Sequence, residues 1–304
     1  MVWALAAIVA MLVLAALVLK LAIARNGAAV LDGIDRLAGG GGTAPAIETR
    51  YGEHQAQRLY IHRATGMSAD DPQPVLIFFH GGSWRSGDPR YYDFVGRAFT
   101  ARGLTVVNVG YRLGEEGRFP AMLEDGAAAI RWVHGNIARH GGDPDRIHLM
   151  GHSAGAYNAV MLALDQQWLA REGLPPGAIK GAVGLAGPYD FHPFDTDASK
   201  AAFGHAEQPE TTQPVNHARA DAPPLLLIHG EKDVLVKPRN SRALERRMAE
   251  AGAAAISQFH PEMDHYDPLV SLAAPWRRRR SIDERIADFV LGRKASVPVQ
   301  AETR

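Results

Sequence analysis

The pentapeptide Gly151-His152-Ser153-Ala154-Gly155 combines a nucleophile-capable hydroxyl with small residues on both sides. The apolar run Arg146-Ile147-His148-Leu149-Met150 before it has the length of a buried strand, and Ala154 to Leu164 reads as helix. A serine on a sharp strand-to-helix turn projects its hydroxyl out of the fold, with the next amide free at the helix N-terminus. Such a hydroxyl is a poor nucleophile near neutral pH, so the chemistry needs a base to take its proton and an acid to orient that base. Both should follow Ser153, each in a loop after a strand.

Downstream, Pro224-Leu225-Leu226-Leu227-Ile228-His229-Gly230 is an apolar run, and Glu231-Lys232-Asp233 follows it. One of the two carboxylates can face inward, and Asp233 is preferred. The strand predicted over 253–260 leads into Pro261-Glu262-Met263-Asp264-His265-Tyr266, which puts His265 in the loop where a general base belongs. His260 is the rival, but it ends the strand itself. Upstream, Pro74 to Phe79 predicts a strand that ends in His80-Gly81-Gly82-Ser83-Trp84. Without a Cβ, the glycines let main-chain amides approach a substrate oxygen. The amides of Gly81, Gly82, Ser83 and Ala154 are the candidate oxyanion hole. Trp84 and Tyr189, with Phe191 near them, are candidate substrate contacts.

These motifs resemble the α/β-hydrolases of the hormone-sensitive-lipase and kynurenine-formamidase-like esterase group. The resemblance rests on His80-Gly81-Gly82-Ser83-Trp84 and Gly151-His152-Ser153-Ala154-Gly155-Ala156. Tyr111-Arg112-Leu113, Phe119-Pro120 with Asp125, Gly142-Asp143-Pro144 and His229-Gly230-Glu231-Lys232-Asp233 add to it. The similarity runs from about Tyr51 to Leu291. Ser83 stands where HGGG lipases have a third glycine, which matches the HGGxW branch. The resemblance implies a Ser-His-Asp esterase acting on small or medium acyl esters without cofactor or metal. An arylformamidase or amidase is the alternative within the fold, and a catalytically silent, membrane-tethered binding module the alternative outside it. Membership alone does not name a substrate.

The elements that must position these residues alternate. Strands are predicted over 75–79, 104–109, 147–150, 180–185, 224–229 and 255–260. Helices are predicted over 91–101, 121–139, 154–164, 239–251 and 281–291. The pattern implies an α/β fold, a mostly parallel central sheet with helices on both faces, with an antiparallel edge hairpin within 51–62. The segment from Gly187 to Ala222 is long for a strand-to-helix connection and reads either as a small lid or as a surface excursion.

The 304 residues suffice for one such domain with a sizeable core. Lysine and arginine number 33 and aspartate and glutamate 33, so no nucleic-acid partner is expected. With no cysteine, disulfides, thiol catalysis and cysteine-ligated metals are excluded. His134, His140, His148 and His152 lack metal-ligand spacing and are expected to be surface or structural residues.

Residues 2–19 are apolar without interruption, and Lys20 breaks the run. About 20 helical residues cover a bilayer core, so residues 1–25 are expected to form one transmembrane helix, an uncleaved anchor or else a signal segment. Lys20, Arg25 and Arg36 on its C-terminal side lean towards a cytoplasmic catalytic domain. A cleaved segment would instead leave the domain secreted or periplasmic. A flexible glycine-rich linker over 26–50, a catalytic domain over 51–292 and a disordered tail over 293–304 complete the expected organisation. Arg277-Arg278-Arg279-Arg280 is either a solvated helix start or a contact to anionic lipid.

Overall fold

The computed structural model describes residues 2–39, 45–64 and 71–293, without the side chains of residues 2–10, 12–16, 19 and 24. Among the described residues one sheet is built from β1 (Ile47–Arg50), β2 (Arg58–His62), β3 (Gln73–Phe79), β4 (Thr105–Val109), β5 (Gly142–His152), β6 (Ile179–Leu185), β7 (Leu225–Gly230) and β8 (Ala255–His260). Their spatial order is β1-β2-β4-β3-β5-β6-β7-β8. β1 and β2 pair antiparallel, as do β2 and β4, and every other pairing is parallel. The mostly parallel sheet and the edge hairpin thus match the sequence reading, though the hairpin starts at Ile47.

The helices are α1 (Val2–Leu37), α2 (Asp93–Thr100), α3 (Ala121–Asn136), α4 (Ala154–Leu164), α5 (Gln166–Arg171), α6 (Asp197–Phe203), α7 (Arg239–Glu250), α8 (Asp267–Val270), α9 (Arg277–Arg280) and α10 (Ile282–Leu291). They cover the sheet on both faces. On one face Phe79, Leu149, Leu227 and Val107 pack with residues of α3, α4 and α7. On the other, Phe78, Met150, Leu226 and Val106 pack with α2 and α10. Alternation of side chains along the buried strands creates these two cores, because successive Cβ atoms point to opposite faces.

The strand order places the site. The chain leaves β3 for β4 on one side of it and then returns to β5 on the other. The loops after β3 and β5 therefore diverge from adjacent strand ends, which opens a crevice at the carboxyl edge of the sheet. Phe79 pairs with Gly151, so His80 and His152, the residues that follow them, stand at the same level.

The N-terminus corrects the expected transmembrane helix. Among the described residues no helix is long and apolar enough to cross a membrane, so the expected anchor and its membrane contact have no support. α1 carries Lys20 and Arg25 and leaves helical geometry at Asn26 (φ −159°, ψ 82°), whose Oδ1 accepts from the Ala29 amide at 3.0 Å and starts a new helical segment. That second segment is no flexible linker. Leu31 packs into the core beside α2, and the Asp35 carboxylate, fully buried, accepts from Arg97 at 2.6 Å and from the Ala274 amide at 2.7 Å. Of the expected glycine tether, Gly40, Gly41 and Gly42 lie outside the described residues, as do residues 294–304 of the expected tail.

The segment from Gly187 to Ala222 is ordered and packed. Thr196 and Ser199 form a capping box at the start of α6, and Phe203 at its end enters the core. The side-chain oxygen of Gln213 accepts from the amides of Phe191 (2.7 Å) and His192 (3.1 Å), and that of Asn240 from Tyr189 (2.9 Å) and Asp190 (2.8 Å).

Candidate active site

Ser153 occupies the turn between β5 and α4 with φ 53° and ψ −121°, a backbone conformation that costs a non-glycine residue about 1–3 kcal/mol. The surroundings hold it there. Its amide donates to the Leu185 carbonyl at 2.9 Å, and its own carbonyl accepts from Ala156 (2.9 Å) and Tyr157 (3.2 Å) in the first turn of α4. The flanking glycines permit the turn, because a Cβ on Gly151 would lie 2.1 Å from the Gly155 carbonyl oxygen. One on Gly155 would lie 2.0 Å from the Phe79 carbonyl oxygen.

His265 comes from the loop between β8 and α8. Its Nε2 lies 2.9 Å from Ser153 Oγ, and its Nδ1 lies 2.7 Å from Asp233 Oδ2. Asp233 follows β7, and its Oδ1 accepts from the amides of Leu235 (2.9 Å) and Val236 (2.8 Å). Burial pushes the Asp233 carboxyl up, but hydrogen bonds from His229 and His265, and the backbone bond from Val236, outweigh it. Its pKa lies well below the ordinary carboxylate value. The structure thus brings together Ser153, His265 and Asp233 from three separate loops at one sheet edge. Glu231 instead pairs with the Arg242 guanidinium on the surface. His260 ends β8, and its Nε2 is buried without a partner among the described residues.

The loop after β3 lies against the same turn. A Cβ on Gly81 would fall 2.9 Å from the His152 carbonyl oxygen and 3.3 Å from Ser153 Cβ. Gly82 has φ +124°, where a Cβ would lie 1.9 Å from the Ser86 carbonyl oxygen. Ser83 and Trp84 continue at φ 55° and 56°, and the Arg85 and Ser86 amides close the turn on the Gly82 carbonyl, each at 3.0 Å. The amides of Gly81, Gly82, Ser83 and Ala154 find no acceptor among the described residues. Unengaged main-chain donors of this kind are the chemistry that an oxyanion requires.

Trp84 is directed away from solvent. Its indole donates to Asn158 Oδ1 at 3.2 Å and meets Phe203 and Tyr157 edge-on, at 4.8 and 5.5 Å between ring centroids. Tyr189 is 0% exposed, with its ring against Gly184 and Gly187. Both residues expected to contact substrate are buried, and Phe191 stacks on Trp84 at 6.2 Å.

The contacts of several supporting groups were not readable from the sequence. The ring of His152 donates through Nε2 to the His265 carbonyl at 2.9 Å and ties the base's loop to the serine turn. Burial, then the charge of His265, pulls the His152 pKa down to about 3. His80 is stacked between Tyr111 and Tyr92, and its carbonyl accepts from the Tyr111 hydroxyl at 2.7 Å, which anchors the start of the glycine loop. Asp125 accepts from the Arg112 side chain and amide and from Gln57. These histidines stand inside the motifs, but nothing in their spacing says which carbonyl or carboxylate they meet.

Comparison with known proteins agrees with this architecture. The BD-FAE family model matches residues 64–248, a stretch that contains Ser153 and Asp233 but stops short of His265. Esterase LipQ of Mycobacterium tuberculosis is 31% identical over 253 residues, covering 76% of this chain and 58% of the relative. Isoprenylcysteine alpha-carbonyl methylesterase ICME of Arabidopsis thaliana is 28% identical over 245 residues, covering 72% and 57%. The chain thus spans somewhat over half the length of these relatives. Among solved structures, Thermogutta terrifontis esterase 2 phosphonylated by sarin superimposes with a TM-score of 0.68 at 20% identity, over 81% of this chain and 94% of that one. The fold is that of the α/β-hydrolases. The family match and the motifs around Gly81 and Ser153 together place this chain in the BD-FAE family, within the hormonesensitive-lipase-like esterase group.

Proposed function

We propose that this protein is a serine hydrolase that cleaves carboxylic esters of small or medium acyl groups through an acyl-enzyme intermediate. One observation carries the reading. Ser153 Oγ, His265 and Asp233 lie in an unbroken line of hydrogen bonds of 2.9 and 2.7 Å behind a serine held at positive φ. The relatives named as esterases support the carboxylic ester as substrate class.

In this reading Ser153 Oγ attacks the ester carbonyl carbon while His265 Nε2 takes its proton. The carbonyl oxygen gains negative charge and turns towards the amides of Gly81, Gly82, Ser83 and Ala154. Asp233, held ionised by its donors, fixes the His265 tautomer and stabilises the imidazolium. Collapse of the tetrahedral intermediate expels the alcohol, which receives the proton from His265. Water, deprotonated by the same ring, then releases the acid and restores Ser153. The catalytic unit proposed for this chemistry runs from about Tyr51 to Gly292.

The test uses the full chain, wild type beside Ser153→Ala, with p-nitrophenyl acetate, butyrate and octanoate, an N-formyl aromatic amine and a fluorophosphonate probe. Ester turnover and labelling in wild type, both lost in Ser153→Ala, is the expected result. Preference for the formamide would move the protein to amide hydrolysis on the same machinery. A folded wild type that neither turns over nor labels would refute the hydrolase reading and leave a binding role.

A further inference from the structure

The carboxylate of Asp233 serves two imidazoles. Its Oδ2 accepts from His265 Nδ1 at 2.7 Å and also lies 3.2 Å from His229 Nε2. His229 belongs to β7, is 0% exposed, and stands four residues before the acid. Its Nε2 lies 2.7 Å from the Val236 carbonyl as well. A carbonyl and a carboxylate are both acceptors, so Nε2 must carry the hydrogen and share it between them. In the neutral ring Nδ1 is then the acceptor, and the Ser241 hydroxyl of α7, 2.8 Å away, donates to it. One ring therefore links α7, the carbonyl of Val236 and the acid, with no solvent to compete.

We infer that His229 is a positioning residue for the proposed hydrolysis: its Nε2–H holds Asp233 in the rotamer that faces His265 and draws off part of the carboxylate's charge. This rests on the role proposed for Ser153, Asp233 and His265. Oδ1 is fixed by two amides of its own turn, whereas Oδ2 is the atom that meets His265. Beside His265 itself, the restraint on Oδ2 is the hydrogen bond from His229, which comes from the core strand β7. Sharing the charge also has a definite sign. With the His229 donor gone, more of the negative charge faces His265, so the imidazolium is held more tightly and the base gives up its proton at higher pH.

Two near-isosteres separate this role from packing. In His229→Gln the side-chain amide nitrogen falls close to the place of Nε2 and keeps a donor towards Asp233. In His229→Asn the amide nitrogen falls near Nδ1 and leaves Oδ2 without that donor. For the full chain, kcat and KM for p-nitrophenyl butyrate are measured from pH 5 to 9, with active sites counted by fluorophosphonate labelling and folding checked by thermal melting. His229→Asn is expected to lose about tenfold in kcat per labelled site, the worth of one charged hydrogen bond partly replaced, with KM little changed. Its acidic limb in kcat/KM should move to higher pH, and His229→Gln should restore most of the rate and the limb.

If both variants lose rate equally with the limb unmoved, His229 is a packing residue and the inference is overturned. It is equally overturned if His229→Asn runs at the wild-type rate with an unshifted limb. Should His229→Asn not fold, Gln alone decides: a folded His229→Gln whose limb has moved as though the donor were absent also overturns it. Ser153→Ala, run in parallel, distinguishes the two levels. Its inactivity with a silent His229→Asn removes only this inference, and retained turnover in Ser153→Ala removes the reading beneath it.

Discussion

Two buried charge clusters in this molecule use the same side-chain chemistry to different ends. At the sheet's carboxyl edge, the Asp233 carboxylate is held by His229, His265 and two amides, and the chain of bonds ends on a hydroxyl that is not itself buried. Under the opposite face, Arg97 is enclosed by Asp32 and Asp35, and Asp35 spends its other oxygen on the Ala274 amide. In the second cluster each charge meets an opposite charge: Asp32 is shared between Arg97 and the more exposed Arg36, which also pairs with Asp93. In the first, one end of the chain is open to a substrate. Burial of ionised groups is therefore not in itself a sign of chemistry; what matters is whether the network closes in ion pairs or ends on an accessible nucleophile.

Substitutions can break that distinction, and the largest effect is expected at the open end. Ser153→Ala should lower ester turnover by about 10⁶-fold with little change in melting temperature, measured with p-nitrophenyl esters and calorimetry. Asp233→Asn should cost about 10⁴-fold in kcat at neutral pH, because the amide no longer enforces the His265 tautomer. Near-wild-type turnover there would point to another acid. Gly82→Ala should cost about 10²–10³-fold, since the new Cβ lies 1.9 Å from the Ser86 carbonyl oxygen and must displace the loop proposed to present the amides.

The closed cluster predicts the converse. Arg97→Ala leaves Asp35 buried without its cation, while Asp32 keeps Arg36, and should destabilise the fold by about 3–5 kcal/mol in urea titrations. Turnover per folded molecule should be retained. A kinetic defect without loss of stability would mean that the two clusters are coupled.

Acid should act on both regions through histidines. Burial pulls His62, His80 and His148 down to about 4 and His152 to about 3. Below the ordinary value of 6.5 the unfolded chain binds protons that the folded chain refuses. Stability from these rings is therefore fully present above about pH 6.5 and declines as pH falls towards 4. Urea midpoints across that window should show the decline, and His148→Gln, remote from Ser153, should flatten it slightly.

Much of this was legible along the chain. The apolar runs before Gly81, Ser153 and Asp233 are strands because fully buried parallel strands read as continuous Val, Leu and Ile segments. Ser153 and Asp233 were singled out because each follows such a run, and His265 because it follows the partly buried edge strand β8. The N-terminus was misread for a related reason. Uniform apolarity over 2–19 outweighed Asn26, Asp32 and Asp35, which are the residues that break α1 and dock its second segment. Nothing local reveals that Arg97, some 62 positions after Asp35, is the partner. Trp84 was expected at the substrate from the glycine loop and Tyr189 from the segment read as a lid, and both side chains pack in the core.

The sequence by itself determined the order of nucleophile, acid and base, the alternation that builds a parallel sheet, and the glycines without which two turns could not close. Each of these is local: hydrophobic period, turn chemistry and steric allowance act within a few residues. Only the tertiary structure decided that His229 and His265 share one carboxylate, that His152 ties the base's loop to the serine turn, and that α1 closes its charges on α2. Those partners lie up to 113 residues apart, and their pairing follows from strand order and packing, which no short window of sequence contains.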